Sequence, residues 1–215
     1  FAVKILSDAE ATCKEVENVI LDTANILEAG DLFVFYIASH GGRKVDEDKA
    51  NENWCLYDGI IWDEDIVWLF SKFKPGVRIL VITDQCHSGG IFKGNTREIF
   101  KQTTRSTLTR QPPPTWNARA AIESKDFPML IHFAACQEKQ TSQEGLGGGI
   151  WTQTLINVLV EADEKIRHTN CPYSYRNWFD DAKKSTMQQC KQQQEPLLVE
   201  SASVTDDFRN KSALT

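Results

Sequence analysis

Residues 77–83, VRILVIT, form a nearly unbroken apolar run rich in β-branched side chains. A strand with one wet face alternates apolar and polar residues, whereas a run like this reads as a strand covered on both faces. Such a strand needs helices above and below it, which restricts the chain to an α/β fold. Two more runs have the same shape, 32–37 (LFVFYI) and 128–135 (PMLIHFAA). Between them the spacing turns helical. Thr12 and Glu15 stand as a capping box ahead of Val16, Val19, Ile20, Thr23, Ile26 and Leu27, and Gly30 sits where a C-terminal cap belongs. The expected order is a strand-like FAVKIL, a helix over 12–28, a strand over 32–38 and a polar loop over 41–53. A short extended piece and a short helix follow, closed by Pro75 and Gly76, and then the strand at 77–83. A strand at 128–135, helices over 151–162 and 174–193, and a strand at 196–201 complete it. Strands alternating with helices imply βαβ units and a mostly parallel sheet in one large domain.

Composition narrows the function. A net charge of −6, without a basic stripe bearing aromatics, excludes a nucleic-acid surface. No apolar run approaches a membrane span, and no secretory leader is visible. The six cysteines, at 13, 55, 86, 136, 171 and 190, are scattered without a CxxC pair. They read as free thiols in a reducing compartment, by default the cytoplasm, and not as a zinc site.

The chemistry gathers behind two of the buried runs. After 77–83 come Asp84, Gln85, Cys86, His87 and Ser88, then Gly89 and Gly90; after 32–37 come Ala38, Ser39, His40, Gly41 and Gly42. In open α/β sheets the carboxyl ends of strands carry the active site. A cysteine attacks well only as a thiolate, and an adjacent imidazole is the usual means of producing one. If the two strands are neighbours, Cys86 is the nucleophile and His40 the base. The backbone N–H groups of Gly41 and Cys86 would then face a tetrahedral oxyanion. The remaining cysteines read as packing, and His132, alternating with core residues, reads as a satisfied core histidine.

A histidine in SHG after an apolar strand, with a cysteine roughly 50 residues later at the end of the next, is a caspase-type arrangement. DQCHSGG and YIASHGG resemble the cysteine and histidine boxes of metacaspases and orthocaspases, and the resemblance runs over about 1–201. It implies a three-layer α/β/α caspase-like (caspase-hemoglobinase) fold with a mostly parallel central sheet. It also implies a cysteine endopeptidase acting through a Cys86–His40 dyad and a thioester acyl-enzyme. By the same resemblance Asp84 and Ala38 line the S1 pocket. A buried carboxylate there asks for a cation, so Arg or Lys is expected at P1 of protein or peptide substrates. Ala38 departs from the family serine. Asp63, Glu64 and Asp65 resemble part of a calcium site, but the segment after Cys86 carries no acid. Calcium dependence is therefore not supported, and no metal or cofactor is expected.

The family's first strand and helix have no counterpart ahead of LSDAEAT, and the chain opens at Phe1. It reads as a segment whose partners include the remainder of its own chain. The peptidase domain is expected over 1–203, with a mobile basic insertion at 92–123 and a loose tail at 204–215. A mobile loop bearing arginines beside a site that prefers them invites self-processing, with Arg105 and Arg110 the expected positions. Two rival readings are a catalytically silent partner-binding module of the same fold and a peptidase that takes an acidic P1 residue.

Overall fold

A computed structural model describes residues 2–46, 49–86, 89, 91–92, 107–137, 139–145, 148–169 and 173–211, with backbone only at 43–46, 49–51 and 163–169. Helix α1 (Cys13–Ile26) leads to β1 (Leu32–Ala38), followed by β2 (Gly41–Asp46) and β3 (Lys49–Cys55). β4 (Ile60–Trp62) runs into α2 (Asp63–Phe70), and β5 (Arg78–Asp84) follows. After α3 (Ala118–Ile122) and β6 (Met129–Ala134) come two short strands, β7 (Glu144–Gly145) and β8 (Gly148–Gly149). Helices α4 (Ile150–Thr169) and α5 (Tyr175–Gln189), strand β9 (Leu197–Glu200) and helix α6 (Asp206–Asn210) end the chain.

The central sheet has the order β1-β5-β6-β9. β5 pairs in parallel with both β1 and β6, and β9 closes the far side antiparallel to β6. On β5, Ile79 and Val81 enter one core with α1 and α2, while Leu80 and Ile82 enter a second with α4, α5 and α6. All four are buried, as the unbroken apolar run requires. This is the expected three-layer α/β/α arrangement. The N-terminal capping signal is real, since Thr12 accepts the Glu15 N–H on its hydroxyl at 3.2 Å, but Gly30 is not the C-terminal cap: the helix ends at Ile26 with Leu27 extended, and Gly30 takes φ +95° in the turn that follows.

The sequence reading misplaces four segments. Residues 41–53 are not a polar loop but an antiparallel pair, β2 with β3, which β4 extends into a small side sheet. Backbone pairing needs no apolar alternation, so a charged hairpin leaves little trace in sequence; Trp54 ties it to the core, stacked on Phe35 at 5.0 Å. Residues 2–7 form no strand, although Leu6 packs against the core. Within the expected insertion, residues 107–123 are held and not loose. Leu108, Ala118 and Ile122 are buried there, and α3 is capped by Asn117, which accepts the Ala120 N–H. The tail is likewise integral as far as it is described, to residue 211: Phe208 is fully buried, edge-on to Tyr175 at 5.3 Å, and Arg209 pairs with Glu200 at 2.8 Å.

Removing a buried phenyl ring costs about 3–5 kcal/mol. Phe208→Ala should therefore lower the urea midpoint of unfolding by an amount equivalent to that loss. A shift near zero would return the tail to the loose segment expected from sequence.

Candidate active site

The pairing of β1 with β5 runs without a bulge from Leu32 opposite Arg78 to Ala38 opposite Asp84. Two residues past the last matched pair, the chain reaches His40 on one side and Cys86 on the other. Both therefore leave the sheet at the same carboxyl edge. The two loops touch: a Cβ added at Gly41 would lie 2.0 Å from the Cys86 carbonyl oxygen, so only glycine permits the approach. The His40 ring is exposed and Cys86 half-buried, which leaves both open to a substrate. The amides expected to form the oxyanion hole belong to this same contact, Gly41 at the start of β2 and Cys86 opposite it.

Gln85, which the sequence reading passes over, fastens the histidine loop. Its side-chain amide donates to the His40 carbonyl at 3.2 Å and also bonds the Ser39 hydroxyl. The Cys55 N–H donates to the same carbonyl at 3.0 Å, so the His40 backbone is clamped from both sides. The Cys136 thiol in turn donates to the Gln85 carbonyl at 3.3 Å. The signal in sequence was period two: between Asp84 and Cys86, Gln85 has to face the other side of the strand end.

Asp84 is buried, and its carboxylate is held by neutral donors. Ser142 Oγ donates to Oδ1 at 2.6 Å; the Thr152 N–H and Oγ1 donate to Oδ2 at 3.0 and 2.5 Å. Among the described residues no lysine or arginine pairs with it. Ala38, its cross-strand partner, is exposed beside it. Tyr36, two residues back on β1, places its hydroxyl 2.9 Å from Thr152 Oγ1. Burial, and then the Asp84 charge, push the Tyr36 phenol up, so it keeps its proton. None of Ser142, Thr152 and Tyr36 was singled out from sequence, because only the fold brings them to Asp84.

The other expected residues lie elsewhere. Arg105, His87 and Cys171 fall outside the described residues. The Arg110 backbone is pinned: its N–H donates to Glu17 Oε1 at 3.0 Å, and the Thr109 N–H and hydroxyl donate to Glu17 Oε2 at 2.7 and 2.8 Å. Glu17 is fully buried on α1, so the clasp sits inside the fold. Cys13, Cys55 and Cys190 are pushed up by burial, Cys13 to about 12, and read as packing thiols. His132 is a core histidine, 2.8 Å from the Thr83 hydroxyl, with burial lowering its pKa to about 3. Asp63, Glu64 and Asp65 are buried in the first turn of α2. Among the described residues no group of three or more His, Cys, Asp or Glu is arranged to hold a metal ion.

A family model described as the caspase domain matches residues 1–209. Metacaspase-8 of Arabidopsis thaliana is 29% identical over 149 residues, covering 64% of this chain and 38% of that protein. Metacaspase-7 of the same plant is 24% identical over 174 residues, covering 77% and 41%. The chain thus spans less than half the length of these curated relatives. A Geobacter sulfurreducens protein of solved crystal structure superposes with a TM-score of 0.70 at 24% identity, over 100% of this chain and 83% of that one. Caspase-1 from Spodoptera frugiperda superposes with a TM-score of 0.50 at 12% identity, over 94% and 72%.

The acids of α2 have a consequence for pH. Burial raises the Asp63 carboxyl from 3.8 to about 8, so the folded protein holds a proton there that the unfolded chain releases. Stability from this group is present at low pH and lost as pH rises towards 8; His132, pushed the other way, acts only below about 6.5. Between pH 6.5 and 8 the wild type should lose on the order of 2 kcal/mol relative to Asp63→Asn. Parallel melting curves across that range would refute the proton's retention.

Proposed function

The chain belongs to the caspase domain family, and we propose that it works as a cysteine endopeptidase cleaving protein chains after arginine or lysine. The observation that supports this reading best is the β1–β5 register. It sends His40 and Cys86 out of one sheet edge and sets beside them a buried carboxylate that has no cationic partner among the described residues. In the proposed reaction the His40 imidazole takes the Cys86 thiol proton, and the thiolate adds to the scissile carbonyl carbon. The N–H groups of Gly41 and Cys86 receive the oxyanion. Collapse of the adduct breaks the C–N bond, and His40 returns its proton to the leaving amine. A water, deprotonated by His40, then hydrolyses the thioester and frees the thiol. Asp84 receives the P1 cation. The six cysteines, scattered without a CxxC pair, fit free thiols in a reducing compartment, and on that ground the proposal includes the cytoplasm.

Fluorogenic peptides differing only at P1, with and without calcium, test the proposal. Arg and Lys peptides should be cleaved and an Asp peptide should not. Cys86→Ala and His40→Ala should each lower kcat by about 10³-fold or more, the double variant being little worse. Asp84→Asn should cost about 2–5 kcal/mol in kcat/KM on basic substrates and far less on neutral ones. Wild-type protein that is folded yet cleaves none of these peptides would favour the silent partner-binding module instead.

Self-processing belongs to the same proposal, and the Glu17 clasp selects between its two expected positions. A P1 residue has to lie extended in the cleft, and the Arg110 backbone is bonded to α1. The wild type should therefore divide after Arg105, giving two fragments that stay together without a covalent link, while Cys86→Ala stays whole. Glu17→Ala should open the bond after Arg110 as a second position. Intact masses decide it: a wild-type cut after Arg110 would mean that the clasp gives no protection.

A further inference from the structure

We propose that Thr152, backed by Tyr36 and Ser142, is a positioning residue for P1 specificity. In this role it fixes the Asp84 carboxylate so that one oxygen faces the substrate cation. The inference rests on the basic-P1 reading above and deepens it.

The geometry begins at the start of α4. The first-turn N–H groups of a helix have no partner within it and carry its positive end. In α4, the Thr152 N–H is satisfied by Asp84 Oδ2, a carboxylate that comes from the end of β5 and not from the helix's own flank. The residue just before the helix is Gly149. A Cβ built on it would lie 2.0 Å from Asp84 Oδ2 and 2.8 Å from Oδ1. The space that a capping side chain would use is thus filled by Asp84, which explains why a glycine precedes this helix.

Donor counting then gives the carboxylate a direction. Oδ2 accepts twice, from the Thr152 N–H and from its hydroxyl, and lies under the Gly149 backbone. Among the described residues Oδ1 accepts once, from Ser142. A carboxylate oxygen offers about two acceptor sites. Oδ2 is full, and Oδ1 keeps one site for an incoming cation. The proton order is also determined. The Thr152 hydroxyl spends its one proton on Asp84 Oδ2, so the Tyr36 hydroxyl must donate to Thr152. Every donor is neutral. The cradle therefore aims the charge without cancelling it, whereas a structural lysine or arginine would have consumed the attraction meant for P1.

The test compares an arginine peptide with one carrying citrulline, its uncharged isostere, at P1. The wild type should prefer arginine. Thr152→Val keeps the backbone bond and the shape but removes the hydroxyl. Losing a hydrogen bond to a charged group should cut the arginine preference about tenfold or more, carried by KM. The citrulline rate should fall far less than the arginine rate, and a melting curve of the same variant checks that it is folded at the assay temperature. Thr152→Ser should restore the preference, and Tyr36→Phe should lower it in the same direction by less. If Thr152→Val keeps the wild-type preference, or slows both peptides equally, the cradle does not set specificity and this inference falls alone. If the wild type itself cleaves both peptides alike, the basic-P1 reading falls and takes the cradle with it.

Discussion

The pairing of β1 with β5 is the interaction on which the site depends. Seven consecutive residues of each strand are matched from Leu32 with Arg78 to Ala38 with Asp84. A slip by one residue would turn every side chain to the other face. It would send Phe35 away from its stack with Trp54 and break the matched exit of the His40 and Cys86 loops. The apolar runs that make these strands bury on both faces are therefore also what aligns the chemistry. Packing and function are fixed by one set of hydrogen bonds.

Three buried acids show how differently this fold accommodates a carboxyl group. Glu17 is surrounded by the N–H groups of Thr109 and Arg110 and the Thr109 hydroxyl, which join α1 to a segment far along the chain. Asp84 is given neutral donors on both oxygens. Asp63 accepts the Glu64 N–H at 2.9 Å among other acids, and burial favours its protonated form. Burying a charge is costly unless it is bonded or neutralised. The fold uses the first remedy at Glu17 and Asp84 and the second at Asp63.

Much of this architecture is legible in the residues, for physical reasons. Strands buried on both faces and helices with a capping box leave strong periodic signals, and so the helix at Cys13–Ile26 and the three buried strands could be read directly, whereas their order in the sheet came only with the fold. The positions of Cys86 and His40 past two strand ends were legible because each follows such a run. The β2–β3 hairpin was not, since its ladder is made by backbone groups that every residue carries. Nor was α6, five residues long, where the informative fact is one buried ring at Phe208. Ser142, Thr152 and Tyr36 were invisible for another reason. Their contacts join positions far apart in sequence, and small polar side chains look alike until the fold selects among them.

The place of the basic stretch in the topology has one further consequence. Strands β5 and β6 are neighbours in the sheet, paired from Arg78 with Met129 to Thr83 with Ala134, yet the stretch lies between them in sequence. A severed chain would have one central sheet contributed by two molecules. What is now an internal ladder would become a subunit interface, and assembly from the unfolded state would become a bimolecular reaction. Stability would then depend on concentration. A nicked molecule could remain intact indefinitely while folded, but once unfolded in dilute solution it would face an encounter that the unbroken chain never has to make.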